Sequence, residues 1–387
     1  MEQAVFQLAR HLRRLGVEPL LVTRPPTEPE AAFPGELEIV RYATLPAGAH
    51  GRVLDRTLNY PGFARRAGAR VAGLVRAGRV DVVDAQGIGG LGYARLRRGD
   101  PGLRAPLVMN PQGMEEHKTR GLKRLALTRL RALSRETARL ADRVVATDAA
   151  TRAEVETLLG VASERVTLLP NGIDLEAVAA ATPRDPAGVA RAALPELDGA
   201  GPVLLSVGRL EPYKGFLDVL EALEALHRES ALGERWLWVV VGEGPLPERL
   251  DARRRQGGAA ARLRRTGRVS AETLHALYAV ADVFVHGTRF EGSSLVTLEA
   301  MAHALPVVAT RAGGIPDKVV DGETGRLVEP GDVAALAEGL RDVLRDPGRR
   351  RALGRAGEER ARRLFGWEPI AARARDLYQE LIAERGA

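Results

Sequence analysis

The sequence predicts an α/β protein built from two doubly wound, Rossmann-like domains, each a parallel sheet with helices on both faces. Three observations carry this expectation. A chain of 387 residues suffices for two domains of ordinary size. Short apolar, β-branched runs alternate with longer amphipathic stretches, the pattern of parallel strands joined by crossover helices. The alternation falls into two series, separated by a segment of weak strand character.

MEQAVFQLARHLRRLG (1–16) mixes charges with apolar positions, so it reads as an amphipathic helix rather than a secretory leader. LLVT (20–23), DVVDA (81–85), PLVMN (106–110), RVVATD (143–148) and RVTLLPN (165–171) are the first strand series. PVLLSVG (202–208), WLWVVVG (236–242), DVFVHG (282–287) and PVVAT (306–310) are the second. FLDVLEALEAL (216–226) and AETLHALYAVA (271–281) have helical periods between them. The Pro-, Ala- and Gly-rich stretch 181–202 is expected to connect the domains, placing them at 1–190 and 200–365. FGWEPIAARARDLYQELIAE (365–384) is a closing helix after a turn.

The apolar share of 45% is that of a globular protein. No run approaches the roughly 18 apolar residues of a membrane-spanning helix. The chain has no cysteine, which removes disulfides, thiolate metal sites and cysteine nucleophiles and fits a cytoplasmic protein. The net charge of +7 comes almost wholly from arginine; the only lysines are Lys118, Lys123, Lys214 and Lys318. The arginines are dispersed and only 4% of residues are aromatic, so nucleic acid is not an expected partner.

The sharpest chemical signal is HGTRFEGSSLVTLEAMAHALPVVATRAGGIP (286–316). Gly292, Ser293 and Ser294 form a small-residue turn before the apolar helical run that Leu295 opens. Such a turn offers free N–H groups and the positive end of a helix dipole to a diphosphate. Glu291 precedes the turn and Glu299 lies two helical turns beyond it, at about 1.5 Å per residue. The pair could span from a nucleotide's sugar to its ribose. Helix capping by Ser293 and a surface role for Glu299 are the bland alternatives.

In SVGRLEPYKG (206–215), Arg209 and Lys214 follow a strand that ends at Gly208. Cations at the carboxyl end of a parallel strand suit a leaving diphosphate. A lysine in a chain that otherwise uses arginine suggests a site that distinguishes the two. VVVGEGP (239–245), AGGIP (312–316) and NGID (171–174) are weak signals alone, and none is a dinucleotide fingerprint.

Taken together, NGID, SVGRLEPYKG, VVGEGP, GRVS–ETLHALYAVADV, EGSSLVTLEAMAHALPVVAT, GGIPDKVVDGETGRLVEPGD and the FGWEPIA helix resemble glycosyltransferase family four, over about 165–380. The resemblance implies the GT-B fold, with two Rossmann-like domains facing across a cleft and the last helix, about 366–387, crossing back to the first. It implies a retaining, metal-independent transfer from a UDP-, GDP- or ADP-linked sugar to a hydroxyl of a glycan, lipid-linked or small-molecule acceptor. No resident cofactor is expected. Arg209 and Lys214 would hold the diphosphate, Glu291 the donor sugar, and Glu299 the ribose. The amides around Ser293, Ser294 and Leu295 would meet phosphate and sugar, and Val269 in GRVS would lie near the base.

Two departures from the family stand out. The chain starts inside the family's first helix, without the preceding strand and glycine-rich loop, so the native protein is expected to begin upstream. Gln86 and Gln112 stand where the family often has histidine. Glutamine hydrogen-bonds a sugar hydroxyl but does not titrate near neutral pH. Glu115, Glu116 and His117 are the nearby candidates for an acceptor-side acid or base, with a solvated helix start as the alternative. The basic segment 121–143 carries Leu122, Leu125, Leu130, Leu133 and Leu140; it suits either core packing or peripheral contact with an anionic membrane at the inner face. A non-catalytic sugar-nucleotide-binding protein and a GT-B-fold epimerase are the competing functions. Nothing in the sequence fixes an oligomeric state.

Overall fold

The computed structural model describes residues 2–24, 35–40, 59–111, 114–119 and 121–386. It forms two compact units: residues 1–170 with 367–387, and residues 171–366.

The first unit opens with helix α1 (Glu2–Arg14) and the parallel pair β1 (Leu20–Thr23) and β2 (Glu36–Ile39). A four-stranded parallel sheet follows in the order β3 (Val83–Gln86), β4 (Leu107–Asn110), β5 (Arg143–Ala146), β6 (Val166–Leu168). Among the described residues no ladder joins the two sheets. The basic segment contains helix α2 (Thr128–Leu140), whose leucines serve packing. Leu130 is buried beside Ile88 and Leu127, with Leu133 against them, whereas Leu125 is exposed.

The closing helix α6 (Trp367–Gly386; α3–α5 lie in the second unit) belongs to this first unit. Trp367, Ile370, Ala371, Ala374, Leu377 and Leu381 repeat at helical spacing, so one stripe is buried against Leu12, Val108 and Val145. The polar edges are also anchored. The Tyr378 hydroxyl donates to Asp84 at 2.5 Å, and Arg143 reaches Glu380 and Glu384 at 3.2 and 3.3 Å.

The second unit has a six-stranded parallel sheet. Its order is β12 (Gly325–Val328), β11 (Val307–Thr310), β10 (Val283–His286), β7 (Val203–Val207), β8 (Leu237–Val241), β9 (Leu263–Gly267). Every residue of β7, β8, β10 and β11 is buried, because helices cover both faces. Alternate residues serve opposite cores. Leu204, Val240, Val285 and Val308 face α3 (Phe216–Arg228). Leu205, Val239, Phe284 and Val307 face α4 (Ala271–Val280) and α5 (Leu295–Ala302). The buried Ser206 hydroxyl accepts from Trp238 Nε1 at 3.0 Å and donates to the Val285 carbonyl at 2.7 Å, so it carries no unmet polar group.

One expectation needs correction. The 181–202 stretch is not a free connection. It contains the helix Pro186–Ala193, capped by Asp185, which lies with the second unit; Ala190 and Val189 join that core. The boundary therefore falls at Pro170, and Ile173 is tied to Phe365 by a backbone bond of 2.7 Å. The segments ELEI, LRRTG and GRLV are also strands. Each lies at a sheet edge or end, where charge is tolerated and apolar periodicity is weak.

Candidate functional site

The strand order of the second unit turns around between β7 and β10. The chain winds outward from β7 through β8 to β9, then returns to begin β10 on the other flank of β7. The helices that follow these two neighbours pack on opposite faces of the sheet, so the carboxyl ends of β7 and β10 are the switch point at which open parallel sheets bind ligands. The Lys214 loop leaves β7 and the Glu291 loop leaves β10.

The loops meet closely. Gly215, at φ 68°, packs its backbone so tightly that a Cβ there would lie 1.8 Å from the Gly287 carbonyl oxygen. Arg289 N–H donates to the Tyr213 carbonyl at 2.7 Å. Lys214 Nζ then reaches Glu291 Oε2 at 2.6 Å. His286 Nε2 lies 2.7 Å from the same oxygen. His286 is 2% exposed, Glu291 11% and Lys214 13%, so the cluster is shielded from bulk screening. Burial by itself would raise the Glu291 pKa. The bond and charge of His286, followed by those of Lys214, overcome that and bring it down to about 2. Glu291 Oε1 is turned toward the Gly292 N–H at 3.1 Å.

The turn after Glu291 is built for close approach. Gly313, at φ 53°, presses against it; a Cβ would lie 2.1 Å from the Glu291 carbonyl oxygen. Gly314 N–H donates to the Gly292 carbonyl at 3.0 Å. Ser294 is left-handed, at φ 43°, and its buried hydroxyl bonds Thr297 Oγ1 at 2.8 Å. It makes no side-chain cap to the helix backbone, leaving the first-turn amides of α5 available. Ser293 does not cap the helix either; its buried hydroxyl has no hydrogen-bond partner. A buried hydroxyl without a partner beside uncapped amides matches an anion or sugar hydroxyl. Leu295 opens the helix and is exposed.

Glu299 stands on α5 beyond the turn, where Tyr278 donates to its Oε2 at 2.9 Å. Burial raises its pKa, and the Tyr278 bond only partly offsets this. Val269 packs at the rim of the adjacent core, and Ser270 caps α4 by accepting from Thr273 N–H at 3.1 Å. Gly208, at φ 154°, directly follows β7. Arg209 is not drawn into the cluster. Its side chain is 73% exposed, bonds the Tyr213 hydroxyl at 2.8 Å, and stays 3.9 Å from Glu211.

On the first unit, Gln86 ends β3 and its Nε2 donates to Asp84 at 3.3 Å. Gln112 and the Glu115 side chain lie outside the described residues. Glu116 is buried, and burial holds the pKa of His117 below the ordinary histidine value, with its Nε2 unpartnered. Among the described residues no cluster of His, Asp and Glu is arranged to hold a metal, and no helix is long and apolar enough to cross a membrane.

His286 and Tyr278 escaped the sequence reading. His286 had a signal, since it ends a strand five residues before Glu291. Tyr278 had none, because its role depends on which helix packs beside α5.

The fold and its structural neighbours define a GT-B-type protein. Residues 1–177 match the profile described as Glycosyltransferase Family 4, and residues 194–360 match Glycosyl transferases group 1. The chain belongs to glycosyltransferase family four. It is 37% identical over 221 residues to a GDP-mannose-dependent alpha-(1-6)-phosphatidylinositol monomannoside mannosyltransferase of Mycolicibacterium smegmatis, covering 54% of this chain and 55% of that one. It is 31% identical over 282 residues to a glycogen synthase of Mycobacterium tuberculosis, covering 73% and 64%. It thus spans between about half and two thirds of these curated relatives. Among solved structures, a sucrose-phosphate synthase from Thermosynechococcus elongatus superposes with a TM-score of 0.71 at 24% identity, covering 98% of this chain and 93% of that one. Anabaena HepE in complex with UDP-glucose gives 0.66 at 19%, covering 98% and 95%.

Proposed function

We propose that this protein transfers a hexose-type sugar from a nucleotide-sugar donor to an acceptor hydroxyl, with retention of anomeric configuration and without a metal. The observation that carries the proposal is the buried Lys214–Glu291–His286 cluster beside the uncapped start of α5, with the Ser293 hydroxyl left unpartnered. Glu291, an ionised acceptor of hydrogen bonds, would hold the donor sugar's hydroxyls. Lys214 keeps further N–H donors for a diphosphate, and Arg209 would swing in from its exposed position. These cations and the α5 amides would stabilise charge on the departing diphosphate, which is stronger in the transition state than in the ground state. Glu299 would bind the ribose. The acceptor would attack from the face the leaving group vacates, its proton passing to the departing phosphate.

A nucleotide-sugar donor is in keeping with the GDP-mannose dependence of the mannosyltransferase relative and with the UDP-glucose bound by HepE. The acceptor side would lie on the first unit, near Gln86, Gln112 and Glu115. The arginines of α2 would make peripheral contact with anionic lipid. The test is a thermal-shift screen with UDP-, GDP- and ADP-sugars, followed by product analysis by NMR with and without chelator. A melting shift with one nucleotide family, and a retained anomer insensitive to chelator, is expected. No shift with any donor refutes the donor site, and an inverted anomer refutes the mechanism.

A further inference from the structure

Beneath the Glu299 carboxylate lies a polar stack that the transfer reading does not use. Helix α4 presents His275 and Tyr278, three positions apart and so on one face. Helix α5 and its C-cap present Glu299 and His303, four positions apart. The two faces interlock. Tyr278 donates to Glu299 Oε2 at 2.9 Å, with a longer approach of 3.4 Å to the Val296 carbonyl. The His303 ring lies flat on the Tyr278 ring, 5.5 Å between centroids and 7° between planes. His303 Nε2 is held by His275 Nδ1 at 2.9 Å. Phe284 of β10 packs against the tyrosine ring, 5.9 Å away. Tyr278 is fully buried, and burial keeps its hydroxyl a phenol and therefore a donor.

We infer that Tyr278, its ring clamped by contacts with His303 and Phe284, is a positioning residue that fixes the Glu299 carboxylate and thereby sets discrimination for ribose hydroxyls in the bound nucleotide. The inference rests on the donor reading above. A carboxylate has two oxygens in one plane. Holding Oε2 by a rigid ring removes its rotational freedom and leaves Oε1 at a defined angle for an incoming hydroxyl. An untethered Glu299 would have to be ordered on binding, which weakens the contact. The paired histidines serve the clamp: neutral and mutually bonded, they hold the ring against the tyrosine without placing a cation beside its hydroxyl.

The test is calorimetric titration of the full chain and of Tyr278→Phe with UDP, GDP and ADP, and with the 2′-deoxy and 3′-deoxy forms of whichever binds. The parent is expected to prefer the ribonucleotide. Tyr278→Phe should weaken the ribonucleotide by about tenfold, the scale of a lost bond to a charged group, and leave the deoxy form that lacks the contacted hydroxyl within about twofold. Ordinary structural damage would weaken both forms alike, and that result, or no weakening of either, overturns the inference. Should Tyr278→Phe not fold, His303→Ala decides: a narrowed ribose preference supports the clamp, and an unchanged one overturns it. A parent that binds no nucleoside diphosphate removes the donor reading and this inference with it. A parent that binds without preferring ribose removes the inference alone.

Discussion

Lys214 and Glu291 lie 77 positions apart in the chain, yet their side chains meet at 2.6 Å. Adjacent strands with diverging crossovers bring them there, and His286 closes on the same oxygen from the end of β10. One carboxylate thus sits between a lysine and a histidine, with little solvent around any of them.

Lys214→Ala and Glu291→Ala should each reduce turnover in the proposed transfer by at least about 100-fold, the scale of one lost transition-state electrostatic contact. Each substitution also strands a buried charge, so folding is to be verified by circular dichroism first. Turnover retained in both folded variants would remove the site assignment.

The Glu291 pKa is held at about 2, below its usual 4.5. A carboxyl group depressed in the folded state stabilises fully above its unfolded pKa and loses that contribution as pH falls through the folded one. The contribution at neutral pH is on the order of 3 kcal/mol. The melting temperature of the parent should therefore exceed that of Glu291→Gln above pH 4.5, and the gap should close as the pH falls toward about 2. A gap that stays constant over this window contradicts the assignment.

Glu299 has the opposite sign. Burial raises its pKa, so the folded protein carries an ionised group it would rather neutralise. Glu299→Gln should melt higher than the parent at neutral pH in the absence of ligand, and should bind nucleoside diphosphates more weakly. A variant that melts lower, or binds as well, would show that this carboxylate is structural.

Burial, with the charge of His275 adding to it, brings the His303 pKa down from 6.5 to about 4. A histidine kept neutral by folding stabilises above its unfolded pKa, and that contribution is lost as pH falls from 6.5 toward about 4. His303→Phe, which keeps a flat ring on Tyr278, should flatten the stability profile across this range. Equal slopes in parent and variant would place the acid sensitivity elsewhere.

Arg209 tests how well exposure predicts role. Its side chain is 73% exposed and makes no buried contact, so Arg209→Ala should shift stability by less than about 0.5 kcal/mol. Affinity for a nucleoside diphosphate should nevertheless fall, as titration at low and high salt would reveal. Undiminished affinity would confine the phosphate contacts to Lys214 and α5.

Much of the architecture was legible in the sequence because its rules are local. The buried central strands read as continuous apolar runs, and α3 and α4 showed their helical period before any partner was known. The turn from Gly292 to Ser294 announced a helix start through small residues alone. Edge strands such as LRRTG were not legible, since an edge position tolerates charge and erases the period. The 181–202 stretch reads as a linker because Pro, Ala and Gly mark both linkers and short capped helices. Only Asp185 accepting from the Gly188 amide at 2.8 Å, with Ala190 buried, distinguishes the two.

By itself the sequence determined the α/β plan of two units with parallel strands, the family, and the loop and helix that carry Lys214, Glu291 and Glu299. These follow from backbone periodicity and turn chemistry, which act over a few residues. The tertiary structure decided which charges meet. It joined Glu291 to His286 as well as to Lys214, left Arg209 in solvent, and set Tyr278 against Glu299. Such pairings depend on strand order and helix packing across dozens of intervening residues, and no local spacing encodes them.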